Sequence, residues 1–498
     1  MDPRNSAWHL NWLIGSVLLL HAVLAVGTGL SPDEAHYALY AYHLDWSYYD
    51  HPPLVGWLQW PFVRWADSDL GLRIMPMLLW LVCLGSLVQL VNALFPPLAR
   101  FRIWNTRPDM LVFALSPMLF LLGMAWVPDT LLMALTCRVM LLTWRLAKTT
   151  APATRLWCEL GIYLGLAGLS KYTAVLLAVG VVLSLTQHQG LAWLKRRGPW
   201  LAFFLAALCI VPVIYWNISH DWASLRYQID HAHGSNHWRG DRVLSYFLIL
   251  LLVYGAGLLW WIWQGTREAR KHPGQELSGT RLCLYFGLPG LALFLYLSGG
   301  GRTLPHWPAN SILALLPLAA LGCVKAYTAY RNSTRALLGF QLFGVALISA
   351  LMLSAGIAKD NALPGQSSAT NPFADLHGWN LAAAHASHLA KQEGANSLAV
   401  MNWTLASRIA WYARPMSVKV INSHKDQFDI WFGPVLNADK VILVNWSVMH
   451  FEPPTKAQQF SRCTPIDSLP VVHLGRQIAR FDFLLCEGWQ GHKETLKP

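Results

Sequence analysis

The chain has 498 residues, 54% of them hydrophobic and only 13% charged, with 26 Trp among its aromatics. That is far more apolar surface than one soluble core needs, so the bilayer is the solvent for most of the protein and a soluble globular enzyme is excluded. The 38 Lys and Arg exceed the 26 Asp and Glu, but no basic, aromatic-interleaved soluble domain points to nucleic acid, and membrane topology accounts for the excess better.

Runs of about 20 apolar residues, enough to cross about 30 Å of hydrocarbon, fall near 7–30, 72–95, 109–126, 130–147, 157–170, 172–188, 199–218, 244–264, 282–298, 311–325 and 336–357. They make about eleven transmembrane helices. With the N-terminus in the cytoplasm, 17 basic residues lie on the inner side and 7 on the outer, which agrees with the positive-inside rule. The odd count of spans places the C-terminal tail outside. The first apolar run is much longer than a signal-peptide core, so it reads as an uncleaved anchor.

The first outer loop, 31–70, concentrates acidic, imidazole and aromatic groups at the membrane surface, where they are costly unless they have work to do. Ser31-Pro32-Asp33-Glu34 spells a helix start, with Ser as N-cap, Pro at the first position and Glu at the third. A capping box explains Glu34 but needs no second acid, so it does not account for Asp33. The helix N-terminus favours its ionised form. Tyr37, Tyr40, Tyr42, Trp46, Tyr48 and Tyr49 follow, suiting an interfacial helix with an aromatic belt, one or two of whose rings stack on a sugar. Pro52-Pro53 then restrict His51 to extended geometry, so Asp50 and His51 are held in a fixed direction.

Further along, Asp129 is the single charge of the outer turn Trp126–Thr130, in the first turn of the next span and on the same membrane side as Asp33. Lys171 interrupts the apolar region 157–188 and either snorkels or binds a phosphate. Arg138 and Glu159 read as a structural pair between neighbouring helices. The outer loop 219–243 holds His220 and Arg226 and then His231, His233 and His237 at spacings of two and four, without the Cys or paired acids of a metal site. The last outer loop offers Gly299-Gly300-Gly301-Arg302 and His306-Trp307, a weak phosphate signal because no strand precedes it.

After 357 the composition turns polar. Residues 358–374 read as a linker and 375–498 as an external α/β domain, with strands at 397–403, 418–421, 440–445, 471–474 and 481–485 and helices at 378–393 and 404–413. Cys463 and Cys486 lie in this tail and pair if the compartment is oxidising. The tail shows no nucleophile elbow, nucleotide fingerprint or zinc spacing, so it positions an acceptor or partner rather than performing chemistry.

Pro32-Asp33-Glu34-Ala35-His36-Tyr37, His51-Pro52-Pro53-Leu54, Val127-Pro128-Asp129, Gly168-Leu169-Ser170-Lys171 and His306-Trp307-Pro308 resemble the bacterial relatives of the protein O-mannosyltransferases and of the lipid A aminoarabinose transferases. The resemblance covers about residues 7–330. It implies a C-type glycosyltransferase fold, a polyprenyl-phosphate-linked monosaccharide as donor, and transfer on the outer face of the inner membrane without a cofactor. It also implies Asp33 as the principal catalytic residue with Asp129 as partner carboxylate and Glu34 beside it, and Lys171 on the lipid phosphate. Aminoarabinose transferases commonly read Glu-Lys before the paired prolines. Here Asp50-His51 stand there, so Arg226 or Arg302 takes over that phosphate contact. Tyr37 and His306 complete the substrate-binding set. The large insert of the eukaryotic mannosyltransferases is absent, which favours a lipid or envelope-glycan acceptor over a protein.

The expected fold is thus an all-α polytopic membrane domain, residues 1–357, followed by the small α/β domain. The competing class is a transporter or flippase of lipid-linked glycans, equally polytopic and basic. Such folds place ionisable groups at the membrane midplane, whereas the acids here lie in outer loops.

Overall fold

The structure, a computed structural model, describes residues 12–149, 153–233, 237–272, 274–301, 303–356, 371–422, 425–452, 454 and 459–491. Its α-helices are α1 Trp12–Gly27, α2 Pro32–Tyr42, α3 Leu54–Trp65, α4 Asp69–Leu94, α5 Pro108–Ala114, α6 Pro117–Leu121, α7 Pro128–Lys148, α8 Thr154–Ser170, α9 Val175–Gln189 and α10 Arg197–Ser219. There follow α11 Ala223–His233, α12 Gly240–Tyr254, α13 Leu258–Ala269, α14 Gln275–Ser298, α15 Ala309–Ala329, α16 Arg331–Leu353, α17 Trp379–Glu393, α18 Trp403–Tyr412 and α19 Gln427–Phe432.

Among the described residues 7 helices are long and apolar enough to cross a membrane, or up to 9 if each of two bent pairs is one span. The expected span 109–126 is instead broken, because Ser116-Pro117 interrupts it between α5 and α6. The helix expected at 157–170 is α8, Thr154–Ser170, 17 residues long and about one turn short of a comfortable crossing. The bent pair α12 and α13 turns by 83° at Gly255, whose φ of 123° is open to glycine.

Chain packing defines two compact units. The first comprises Met1–His21, Trp46–Val55 and Arg73–Ala346. Its centre is α7 and α15, whose apolar windows are 83% and 78% buried against 22% for α10. Helices α13 and α15 approach at Gly265 and Gly322, where an added Cβ would fall 2.1 Å from the Leu318 carbonyl oxygen and 1.7 Å from that of Trp261. Arg138 donates to Glu159 at 3.1 Å between α7 and α8, the structural pair expected.

The second unit comprises Ala22–Asp45, Gly56–Leu72 and Leu347–Pro498. Its five-stranded sheet runs β2-β1-β3-β5-β4, where β1 is Ser397–Val400, β2 Val418–Val420, β3 Val441–Trp446, β4 Phe460–His473 and β5 Arg476–Trp489. Strand β1 pairs in parallel with β2 and β3, and β3 and β4 are antiparallel to β5. The central β3 is buried throughout, as the apolar run Val441–Val444 requires. The last two strands are 14 residues each, longer than expected from 471–474 and 481–485, because Pro465, Asp467 and Pro470 hide the alternation in β4. They turn at Leu474-Gly475, both at positive φ as a two-residue hairpin demands. Cys463 and Cys486 face each other in this ladder and form a disulfide.

Candidate active site

In the second unit, α2 starts as its sequence dictates. Ser31 Oγ accepts from the Glu34 N–H at 3.3 Å and Glu34 Oε2 accepts from the Ser31 N–H at 3.0 Å, with Pro32 at the first position. Glu34 is buried and its carboxylate is engaged in the cap, whereas Asp33, its neighbour in the first turn, is half-buried. Helix α18 lies along α2: Ser407 Oγ meets His36 Nδ1 at 3.3 Å, and the Leu30 N–H donates to Tyr412 Oη at 3.0 Å. Most of the expected aromatic belt is core. Tyr37 and Tyr40 are 5% and 0% exposed, with rings around His36, while only Tyr42 and Trp46 project at 44% and 54%. The reason is that a soluble-type layer covers this helix where lipid headgroups were expected.

In the first unit, Pro128 opens α7 and sets Asp129 in its first turn, 2% exposed. Helix α8 ends at Ser170, and Lys171 adopts extended backbone, φ −155° and ψ 141°, which turns its side chain back toward α7. The Lys171 ammonium donates to both Asp129 oxygens at 2.7 Å. Ser170 Oγ donates to the Pro128 carbonyl at 2.9 Å, so the two helix ends are tied by backbone as well as charge. His306 Nε2 lies 3.8 Å from Asp129 Oδ2. Its loop is fixed by Tyr246 and Tyr254, whose hydroxyls donate to the carbonyls of Leu304 at 2.9 Å and Pro305 at 3.0 Å.

Asp50 and His51 are half-buried in the same unit. The Asp50 carbonyl accepts from Gln228 Nε2 at 2.6 Å, and Tyr49 packs on Tyr227 with ring centroids 5.2 Å apart, anchoring the segment to α11. Tyr172, next to Lys171, is hydrogen-bonded to Ser224 of that helix. Arg226, on α11, is exposed. Arg302 and the side chains of His231 and His233 lie outside the described residues. Asp129, Lys171 and His306 are therefore brought together, Asp50 and His51 are held by α11, and Asp33, Glu34 and Tyr37 stand on α2 of the second unit. Sequence reading gave no place to Arg408 on α18, a buried charge in a helix expected to belong to an acceptor-positioning tail.

The helical bundle and the mixed sheet define the fold of a C-type glycosyltransferase. Over 97% of this chain and 98% of the other, the structure is similar to the crystal structure of ArnT from Cupriavidus metallidurans in the apo state, with a TM-score of 0.62 at 15% sequence identity. The same ArnT bound to undecaprenyl phosphate gives 0.61 at 15%, covering 95% and 97%. In sequence, the family described as dolichyl-phosphate-mannose-protein mannosyltransferase matches residues 50–216. The lipid A galacturonosyltransferase RgtD of Rhizobium johnstonii is 23% identical over 295 residues, which are 57% of this chain. The match spans 58% of the length of that relative.

Proposed function

We propose that this protein is an inner-membrane glycosyltransferase that moves a monosaccharide from a polyprenyl-phosphate donor to a lipid or cell-envelope glycan on the periplasmic face. The observation that carries the reading is the buried Lys171–Asp129 pair at the ends of α7 and α8. Two of the three ammonium N–H donors are spent on Asp129, which leaves one for a phosphate oxygen. The name of RgtD and the undecaprenyl phosphate bound to ArnT support the same donor and a lipid A type of acceptor.

A lipid phosphate is already a good leaving group. Lys171, with His306 and with Arg226 or Arg302, holds its charge, and Asp129 fixes the ammonium in place. Asp50 and His51, held by α11, contact the substrate beside that phosphate. Asp33 orients the acceptor hydroxyl. As the acceptor oxygen bonds to the anomeric carbon, the bond from that carbon to the phosphate oxygen breaks, the electron pair leaves with the phosphate, and the hydroxyl proton passes to Asp33. A single displacement inverts the anomeric centre. Glu34 serves by holding the first turn of α2.

The test is sugar transfer to lipid A by purified full-length enzyme, with undecaprenyl-phosphate-linked galacturonate, aminoarabinose and mannose as donors. Asp33→Asn should lower turnover by about 10²-fold or more, the scale of a lost general base. Near-normal turnover, or movement of donor across the membrane without transfer to any acceptor, counts against the reading.

A further inference from the structure

We propose that the turn of the β4–β5 hairpin, with Leu474 at its tip, is seated in the lipid interface where α1 and α16 end, so that the bilayer itself is a binding partner of the C-terminal part of the chain.

Helix α16 carries no charged residue from Ala336 to its end at Leu353, a length of about 27 Å at about 1.5 Å per residue, against about 30 Å of hydrocarbon. Its last turn therefore marks one edge of the apolar layer. Helix α1 ends beside it, since a Cβ on Gly27 would fall 2.5 Å from Leu353 Cδ2, and the chain then bends by 80° into α2. At the same level the Gly29 N–H donates to the Leu376 carbonyl at 2.8 Å and His377 donates to the Met352 carbonyl at 3.0 Å. The hairpin reaches this place too. His473 donates to the Leu353 carbonyl at 2.7 Å, and its ring centroid lies 4.2 Å from that of His377.

Val471 and Ile478 still belong to the buried core of the unit. Between them the turn leaves the core, and Leu474, one Cα step of about 3.8 Å past His473, is 75% exposed. The headgroup layer on each side of the hydrocarbon is about 5–8 Å deep, so a residue tethered this closely to the edge stands among lipids. A single exposed leucine is ordinary on a protein surface, but this one also occupies a position that disfavours it. Leu474 has φ 49° and Gly475 φ 76°, a two-residue turn that prefers Asn-Gly or Asp-Gly because a bulky side chain is strained at positive φ. In water such a leucine is strained and exposed at once. In the interface its side chain is withdrawn from water.

Full-length protein with Leu474→Cys, spin-labelled and held in nanodiscs of phosphatidylethanolamine and phosphatidylglycerol, tests this without any sugar transfer. Oxygen, which concentrates in the bilayer, and a nickel chelate, which stays in water, are compared as relaxing agents. The ratio of oxygen to chelate collision should be at least about threefold higher than for Ser468→Cys, an exposed position about 20 Å back along β4 at about 3.3 Å per residue. Wild-type protein treated with the same label is the blank, since its six free Cys lie in helices. Equal ratios at the two positions would put the tip in water and overturn the proposal. So would a label at Leu474→Cys that meets neither agent, because a second copy or another protein would then cover the tip. If Leu474→Cys does not fold, Arg476→Cys, which pairs with His473 across the turn, carries the label with the same expected ratio.

Discussion

The ammonium of Lys171 meets both oxygens of Asp129 at 2.7 Å, with side-chain exposures of 7% and 2%. Removing one member strands the other charge in a buried place and should cost about 3–5 kcal/mol, so Lys171→Ala and Asp129→Asn should both lower thermal stability in detergent. Replacing the pair together, as Lys171→Met with Asp129→Leu, should recover much of that stability. Donor use should stay lost in the double variant, since no cation remains for the phosphate. If transfer returns along with stability, the pair is structural only.

The two adjacent acids in the first turn of α2 should separate by chemistry. Glu34→Gln keeps an acceptor for the Ser31 N–H and should retain most activity. Glu34→Ala removes half of the reciprocal cap and should cost about 1 kcal/mol of local stability. Turnover of the two variants at equal folded concentration decides this, and an inactive but folded Glu34→Gln would give Glu34 a chemical role.

How much of this was legible depended on the distance in sequence between partners. The capping box at Ser31 and Glu34 closes within four residues and could be read directly, as could the break at Ser170-Lys171, where a polar pair interrupts an apolar run. The Lys171–Asp129 pair was half legible. Each was visible as a lone charge at the end of one of two consecutive apolar segments, but assigning them separate roles overlooked that antiparallel neighbours bring such ends together. The burial of Arg408 was not legible, since the carboxylate that answers it stands 33 residues away at Asp375. The same blindness turned Tyr37 and Tyr40 into a membrane belt. Nothing in the local pattern of α2 announces that α18 will cover it.

The disulfide should be a staple of the β4–β5 ribbon. Cys463 and Cys486 are 23 residues apart, and closing a loop of that size is worth about 3 kcal/mol in the chain-entropy account. Cys463→Ala with Cys486→Ala should therefore speed proteolysis at the exposed Leu474-Gly475 turn relative to the oxidised wild type. Unchanged cleavage would mean that strand pairing alone holds the hairpin.

Acid should loosen the end of α16. His377 donates to the Met352 carbonyl at 3.0 Å and His473 to that of Leu353 at 2.7 Å, capping the last turn. Burial pushes the His377 imidazole below its ordinary value of 6.5 and the nearby His473 adds to this, against the bond to Met352. The unfolded chain then binds a proton that folded His377 resists. This stabilising contribution is fully present above pH 6.5 and is lost as pH falls from there through the depressed folded value. His377→Gln keeps a donor without the titration, so its melting temperature should fall less than that of the wild type between about pH 7.5 and 5. Equal falls would assign the acid sensitivity elsewhere.

The C-terminal part should matter to every acceptor. Sequence alone suggests an external module that selects the acceptor, so that truncation would spare transfer to a small model alcohol. The structure gives that part a second task, because residues 347–498 share one compact unit with 22–45, and α18 covers the face of α2 that bears His36. Removing 375–498 exposes Leu30, Ala35, Ala38 and Leu39, which belong to the same buried cluster as Trp379, Leu405 and Ile409. Left uncovered, α2, at 11 residues, is too short to hold its conformation unaided. Transfer to lipid A and to a small alcohol should therefore fall together in the truncated enzyme, by as much as in Asp33→Asn. A truncated protein that stays in the membrane and still glycosylates the small alcohol would show that α2 keeps its geometry without α18, and would return the C-terminal part to acceptor choice alone.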